Sequence, residues 1–141
     1  MTPHRIAAYA AVAAVAAAIA AGLYLSGSPT EQRLLRLDER RVSDLRTLAN
    51  ALSRHVTETG RLPDTLDALV DGRRLTRLPS DPASEEPYAY VVTGSHAFEL
   101  CADFDRESAP RMQGDFWSHS AGRACFSFDY SGLRRPNPTA R

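Results

Sequence analysis

The segment Ser28–Thr59 constrains this chain most. It opens with Ser28-Pro29-Thr30-Glu31, the spacing of a capping box. A Ser oxygen is placed for the orphan N–H groups, Pro stands at the first helical position and Glu two residues further on. Apolar residues then recur at helical spacing: Leu34/Leu35, Leu37, Val42, Leu45, Leu48/Ala49, Leu52 and Val56. Arg33, Arg40, Asp44, Arg46, Asn50 and Arg54 fall mostly on the other faces, as an amphipathic helix requires. Gly60, a residue type that accepts a left-handed backbone, ends the pattern. A helix of about 30 residues is roughly 45 Å long, too long to be one of several equal helices in so small a domain. It reads as a spine against which the rest packs.

Before the spine, Met1 to Arg5 is polar and basic, and Ile6 to Leu25 is a run of 20 residues without charge. That length suits a hydrocarbon core of about 30 Å. Eleven of the 20 are Ala, so the hydrophobicity per residue is modest. With Arg5 and His4 ahead of the span, the positive-inside rule keeps that end cytoplasmic and sends the rest across. The competing reading is a cleaved signal peptide, with Ala18-Ile19-Ala20 as a small-x-small cleavage site. Either reading exports the domain. The organisation expected is residues 1–27 as a transmembrane anchor or signal peptide, 28–130 as a periplasmic α+β domain, and 131–141 as a disordered tail.

The 17 acidic residues equal the 17 basic ones, and every basic one is Arg. Net charge is +0, so no electrostatic nucleic-acid binder is indicated. The absence of Lys also excludes Schiff-base and P-loop chemistry.

After Gly60, the apolar residues Leu62, Leu66, Leu69 and Val70 suit a short second helix of about two turns. Leu78-Pro79-Ser80-Asp81-Pro82 is an extended or turning segment, because each residue before a proline is pushed from the helical region. Then the period changes to two. Tyr88–Val92, His96–Phe104 and Ala124–Tyr130 read as strands, with a long loop from Asp105 to Ala121. Phe98, Leu100, Ala102 and Phe104 share one face, and so do Phe126, Phe128 and Tyr130. Those aromatic faces need a large apolar surface, and the spine offers one. A small antiparallel sheet of about three strands laid on a long helix follows, an α+β fold.

Cys101 and Cys125 both lie opposite the aromatics, so a disulfide between them would staple a small exported domain. The rival reading is a reactive thiol, which no CxxC spacing favours.

The order of elements resembles the type IV pilin fold, and the local motifs are similar to those of the major pseudopilin of type II secretion systems. The matching positions are Asp44, Leu48, Ala51-Leu52, Gly60, Leu62-Pro63, Thr65, Leu66, Leu69, Pro79-Ser80-Asp81-Pro82 and Pro87-Tyr88-Ala89-Tyr90, about a third of the chain. The resemblance implies a pilin-like domain whose Gly60, Pro63, Pro79, Asp81, Pro82, Pro87, Tyr88 and Tyr90 shape the fold. Departures accompany it. A prepilin carries a Gly cleavage site before its hydrophobic helix and a Glu within it, and Met1 to Leu25 has neither. His55-Val56 and Leu62 stand where the family has aromatics, and its calcium loop has no counterpart. From Phe98 on, Leu100-Cys101-Ala102, Trp117-Ser118-His119 and Gly122-Arg123-Ala124-Cys125-Phe126 instead resemble a terminal module of uncharacterised bacterial membrane proteins.

Chemistry-bearing residues are sparse. His96 and His119 lack a third metal ligand at fixed spacing. Asp103, Asp105, Glu107 and Asp115 lack the pattern of a calcium loop and read as a solvated acidic loop. Ser118, His119 and Ser120 have no nucleophile elbow. Trp117 is expected on the sheet or helix beside the disulfide, and His119 as a loop hydrogen-bonder. The expectation is therefore no enzyme, cofactor or metal, but a single-pass inner-membrane protein with a periplasmic interaction domain. It would be anchored through residues 6–25 and paired with another membrane or secretion-system protein. The alternatives are an accessory pseudopilin of a type II secretion or type IV pilus system, and a small ligand- or metal-binding exported domain.

Overall fold

The structure, a computed structural model, describes residues 3–26, 28–73, 75–108 and 114–130; the expected tail at 131–141 lies outside them. The chain divides into two units, residues 1–34 and 35–141.

In the first unit, helix α1 (Pro3–Ser26) is long and apolar enough to cross a membrane. Helix α2 (Pro29–Thr59) begins there, where the Glu31 N–H donates to Ser28 Oγ at 3.2 Å, the first half of the expected capping box. Its far end is closed by Gly60, at φ +75°, whose N–H donates to the Val56 carbonyl.

The second unit holds the body of α2 and three strands, β1 (Ala89–Val92), β2 (Ala97–Phe104) and β3 (Gly122–Asp129). They form an antiparallel sheet in the order β1-β2-β3. Leu45, Leu48 and Leu52 of α2 share one core with Phe98 and Leu100 of β2 and with Phe126 and Phe128 of β3. Each fully buried Leu or Phe contributes about 2 kcal/mol of apolar burial. The Phe98 and Phe128 rings stack at 4.9 Å, as side chains directly opposite one another in the register.

Several expectations need correction: β1 begins at Ala89 and not at Tyr88, and β3 ends at Asp129 and not at Tyr130. The stretch after Gly60 forms a single 3₁₀ turn, Leu66–Leu69, and not a two-turn helix. Thr65 ahead of it is extended and gives no side-chain cap, and one turn already buries Leu66 and Leu69, so longer helix would gain no packing. Strand β2 starts at Ala97, because the Thr93 and Gly94 N–H groups both turn onto the Ala97 carbonyl and hold His96 in the turn. Strand β3 starts two residues earlier than read, since Gly122 and Arg123 pair with Phe104 and Asp103. The apolar stripe of α2 is buried only from Val42 to Leu52, while Leu35 is exposed.

Candidate functional site

The polar centre of the second unit is a residue that hydropathy alone does not single out. Arg41, on α2 between the core positions, is 4% exposed. Its Nε donates to Asp81 Oδ2 at 2.6 Å, and its Nη1 donates to Asp38 Oδ1 at 2.7 Å and to Asp105 Oδ2 at 2.6 Å. Nη2 adds a longer bond to Asp81 Oδ1. One guanidinium thus ties three carboxylates from three stretches of chain, and their hydrogen bonds raise its pKa against the opposing effect of burial.

Each carboxylate also organises its own backbone. Asp38, itself buried, accepts the N–H groups of Asp105 and Arg106, which fixes the chain as it leaves β2. Asp81 Oδ1 accepts the N–H groups of Ala83 and Ser84, and the Asp81 N–H and carbonyl bond Glu86 and Glu85. Glu85 takes a left-handed φ of 61°, and Ser80 bridges to Pro87, so residues 80–87 close into a compact loop. Burial alone would raise the Asp81 carboxyl, but the bonds from Arg41, Ser84 and Ala83 prevail and hold it at about 2.

The next turn of α2 receives Tyr88. Its hydroxyl donates to Asp44 Oδ2 at 3.0 Å, and burial raises both the phenol and, despite that bond, the carboxyl. Tyr90 donates to the Pro63 carbonyl, and burial pushes it up to about 12. A crevice of about 680 Å³ opens beside this polar row, between Arg40 and Asp44 of α2 and the segment Leu75–Pro82.

The motif positions therefore separate into two groups. Asp81, Pro82, Pro87 and Tyr88 gather with Asp44 around Arg41. Gly60, Pro63 and Tyr90 sit near the far end of α2, Gly60 being about 28 Å along the axis from Arg41.

Cys101 and Cys125 face each other directly in the register and are joined by a disulfide. Trp117 is not beside it. Its ring packs on Phe126 at 4.8 Å and on Phe128, with the Arg46 guanidinium 5.5 Å over it, on the opposite side of the sheet. The alternation of β3 places Phe126 and Phe128 away from Cys125, and Trp117 follows the aromatics.

His119 is buried, stacked on Phe104 at 3.6 Å and bonded through its backbone to Ser108. Its Nδ1 lies 3.2 Å from the Ser120 carbonyl oxygen, so the serine hydroxyl is not what the ring engages. His96 precedes β2 and His119 meets its last residue, about 25 Å away along the strand, so the two are not brought together. The acidic residues also diverge: Asp105 goes to Arg41, Asp103 lies 3.9 Å from Arg123, and Asp115 accepts the Phe116 N–H. Pattern reading misses Arg41 and Asp38, and the one usable signal is their position on the apolar stripe itself, four and seven residues before Leu45.

Comparisons with protein-family models, with curated proteins and with solved structures give no match to this chain.

Proposed function

We propose that this chain is a single-pass inner-membrane protein whose pilin-like α+β domain serves as a structural or interaction module in the periplasm. The observation that carries this reading is α1. Its described side chains are exposed along the whole helix, Ile6, Val12, Val15, Ile19 and Leu23 among them. A helix that is apolar all round is matched to lipid rather than to water. Arg5 ahead of the span supports a cytoplasmic N-terminus by the positive-inside rule. The Cys101–Cys125 disulfide fits a domain delivered to an oxidising compartment.

The test is fractionation of the native host with intact-mass measurement, before and after reduction and alkylation. Full-length mass in the carbonate-resistant membrane fraction, with two thiols appearing only on reduction, supports the reading. Soluble protein shortened near residue 20 replaces it with a secreted domain.

A second reading, an accessory pseudopilin, is favoured by one contact. Asp44 and Tyr88 both belong to the pseudopilin-like pattern and hydrogen-bond each other. Genomic neighbourhood separates the two readings: adjacent genes for a secretion ATPase and a prepilin peptidase favour a pseudopilin with a degenerate leader, and a neighbourhood without them keeps the simple anchor.

A further inference from the structure

Strands β2 and β3 place Glu99, Cys101, Cys125 and Ser127 in two adjacent rungs, Glu99 opposite Ser127 and Cys101 opposite Cys125. The period of two puts all four on the face turned away from the core aromatics. A carboxylate oxygen of Glu99 and the two sulfurs lie within 4.8 Å of one another. We infer that reduction of the Cys101–Cys125 disulfide opens a zinc site on this outer face, with Cys101, Cys125 and Glu99 as its three protein ligands.

The chemistry of the donors selects the metal. Two thiolates and one carboxylate are a soft-leaning set that suits Zn²⁺ over Ca²⁺ or Mg²⁺. Tetrahedral zinc with bonds of about 2.3 Å to sulfur places two sulfurs roughly 3.8 Å apart. That separation lies within reach of side chains on directly opposed residues, with the Cα atoms of Cys101 and Cys125 already 4.0 Å apart. Three protein ligands leave a fourth position for water.

The surroundings are those of a supported ligand set. The Ser127 hydroxyl donates to Glu99 Oε1 at 2.8 Å, which orients the carboxylate and leaves Oε2 for a metal. Across β2 the partner of Cys101 is the small residue Ala89, and Cys101 itself is buried. A crevice of about 290 Å³ reaches Cys101 past Ala89, Glu86 and Arg123 and gives a path in. Arg123 and Asp103 form the next pair on this face, 3.9 Å apart, and add no net charge beside the ligands.

An external dithiol supplies two electrons and two protons, the Sγ–Sγ bond breaks into two thiols, and the dithiol closes to its own disulfide. Zn²⁺ then displaces the two thiol protons to solvent as it takes both thiolates and the Glu99 carboxylate. The same pair of residues thus holds either a covalent bond or a metal.

The experiment uses the full-length chain in detergent micelles, reduced with a phosphine under inert gas and titrated with Co²⁺. Expected are one equivalent bound, a thiolate-to-cobalt charge-transfer band with the visible bands of tetrahedral Co²⁺, and their loss on adding one equivalent of Zn²⁺. The oxidised protein shows no such band. Glu99→Gln weakens Zn²⁺ binding at least tenfold. A folded, reduced protein without the band overturns the proposal, as does unchanged affinity in Glu99→Gln. Should reduction alone unfold the sheet by circular dichroism, Zn²⁺ is expected to restore it and raise the melting temperature. A reduced chain that stays unfolded with Zn²⁺ overturns the proposal equally.

Discussion

Arg41 and Asp81 stand 40 residues apart in sequence, yet Nε and Oδ2 meet at 2.6 Å, with only 5% and 13% of the two side chains exposed. The pair closes the loop after the 3₁₀ turn onto the spine helix, and Asp38 and Asp105 join the same guanidinium. Removing the cation strands a buried carboxylate at Asp38 along with the other two. Arg41→Ala is therefore expected to cost about 3–5 kcal/mol, the range for breaking one side of a buried charge network. Urea titration at pH 7 checks it, and a loss below about 1 kcal/mol would show that the network contributes little.

The same cluster sets the response to acid. Asp81 is held at about 2 in the folded state against an ordinary value of 3.8. Because the folded value is the lower one, its contribution is present above about pH 4 and lost as pH falls toward 2. At 1.36 kcal/mol per pH unit, that difference comes to about 2 kcal/mol. Asp44 has the opposite sign. Burial raises it above 3.8 despite the Tyr88 bond, so its contribution is present below the unfolded value and lost as pH rises through the folded one. Asp81→Asn is expected to flatten the acid limb of a stability-versus-pH curve. Asp44→Asn, which keeps an oxygen for Tyr88, is expected to stabilise the protein at pH 7. An acid limb of unchanged steepness in Asp81→Asn refutes the assignment.

The disulfide joins β2 to the outer strand β3 at directly opposed residues, separated by 24 positions in sequence. Closing such a loop contributes about 3–4 kcal/mol in the chain-entropy account. The double replacement Cys101→Ala with Cys125→Ala is expected to lower the melting temperature by roughly 10 °C or more. Equal melting temperatures in oxidised and metal-free reduced protein would show that the bond adds no stability.

What pattern reading captured and what it missed divide along physical lines. The Ser28 cap and the Gly60 stop are local chemistry, complete within a few residues, and both were legible. That Cys101 and Cys125 share a face was legible because a period of two fixes which residues do so and the aromatics identify the buried one, whereas their direct opposition depends on a strand register that pattern alone does not fix. The Leu62–Val70 segment was misread because leucines at that spacing suit either a helix or a single 3₁₀ turn, and only the room beside α2 decides. Arg41 and Asp38 were passed over because charged residues, even where they interrupt an apolar stripe at core spacing, read as solvated until a partner is known. What buries them arrives from Asp81 and Asp105, which lie 40 and 64 residues away from Arg41, and no local pattern records that meeting.

Trp117 is the single tryptophan, half-buried against Phe126 and Phe128, with Phe116 edge-on at 5.0 Å and Arg46 above its ring. These contacts rank two substitutions. Arg46→Ala removes only a cation–π contact at an exposed position and is expected to cost about 0.5–1 kcal/mol. Trp117→Ala empties part of the aromatic layer covering β3 and is expected to cost about 2–3 kcal/mol, less than the 3–5 of a fully enclosed aromatic. The position of the ring also separates it from the disulfide, which quenches an indole in contact with it. Reduction that leaves the sheet folded should therefore leave the native tryptophan emission unchanged. A rise in emission without loss of the circular dichroism signal would place Trp117 beside Cys101–Cys125, on the other side of the sheet.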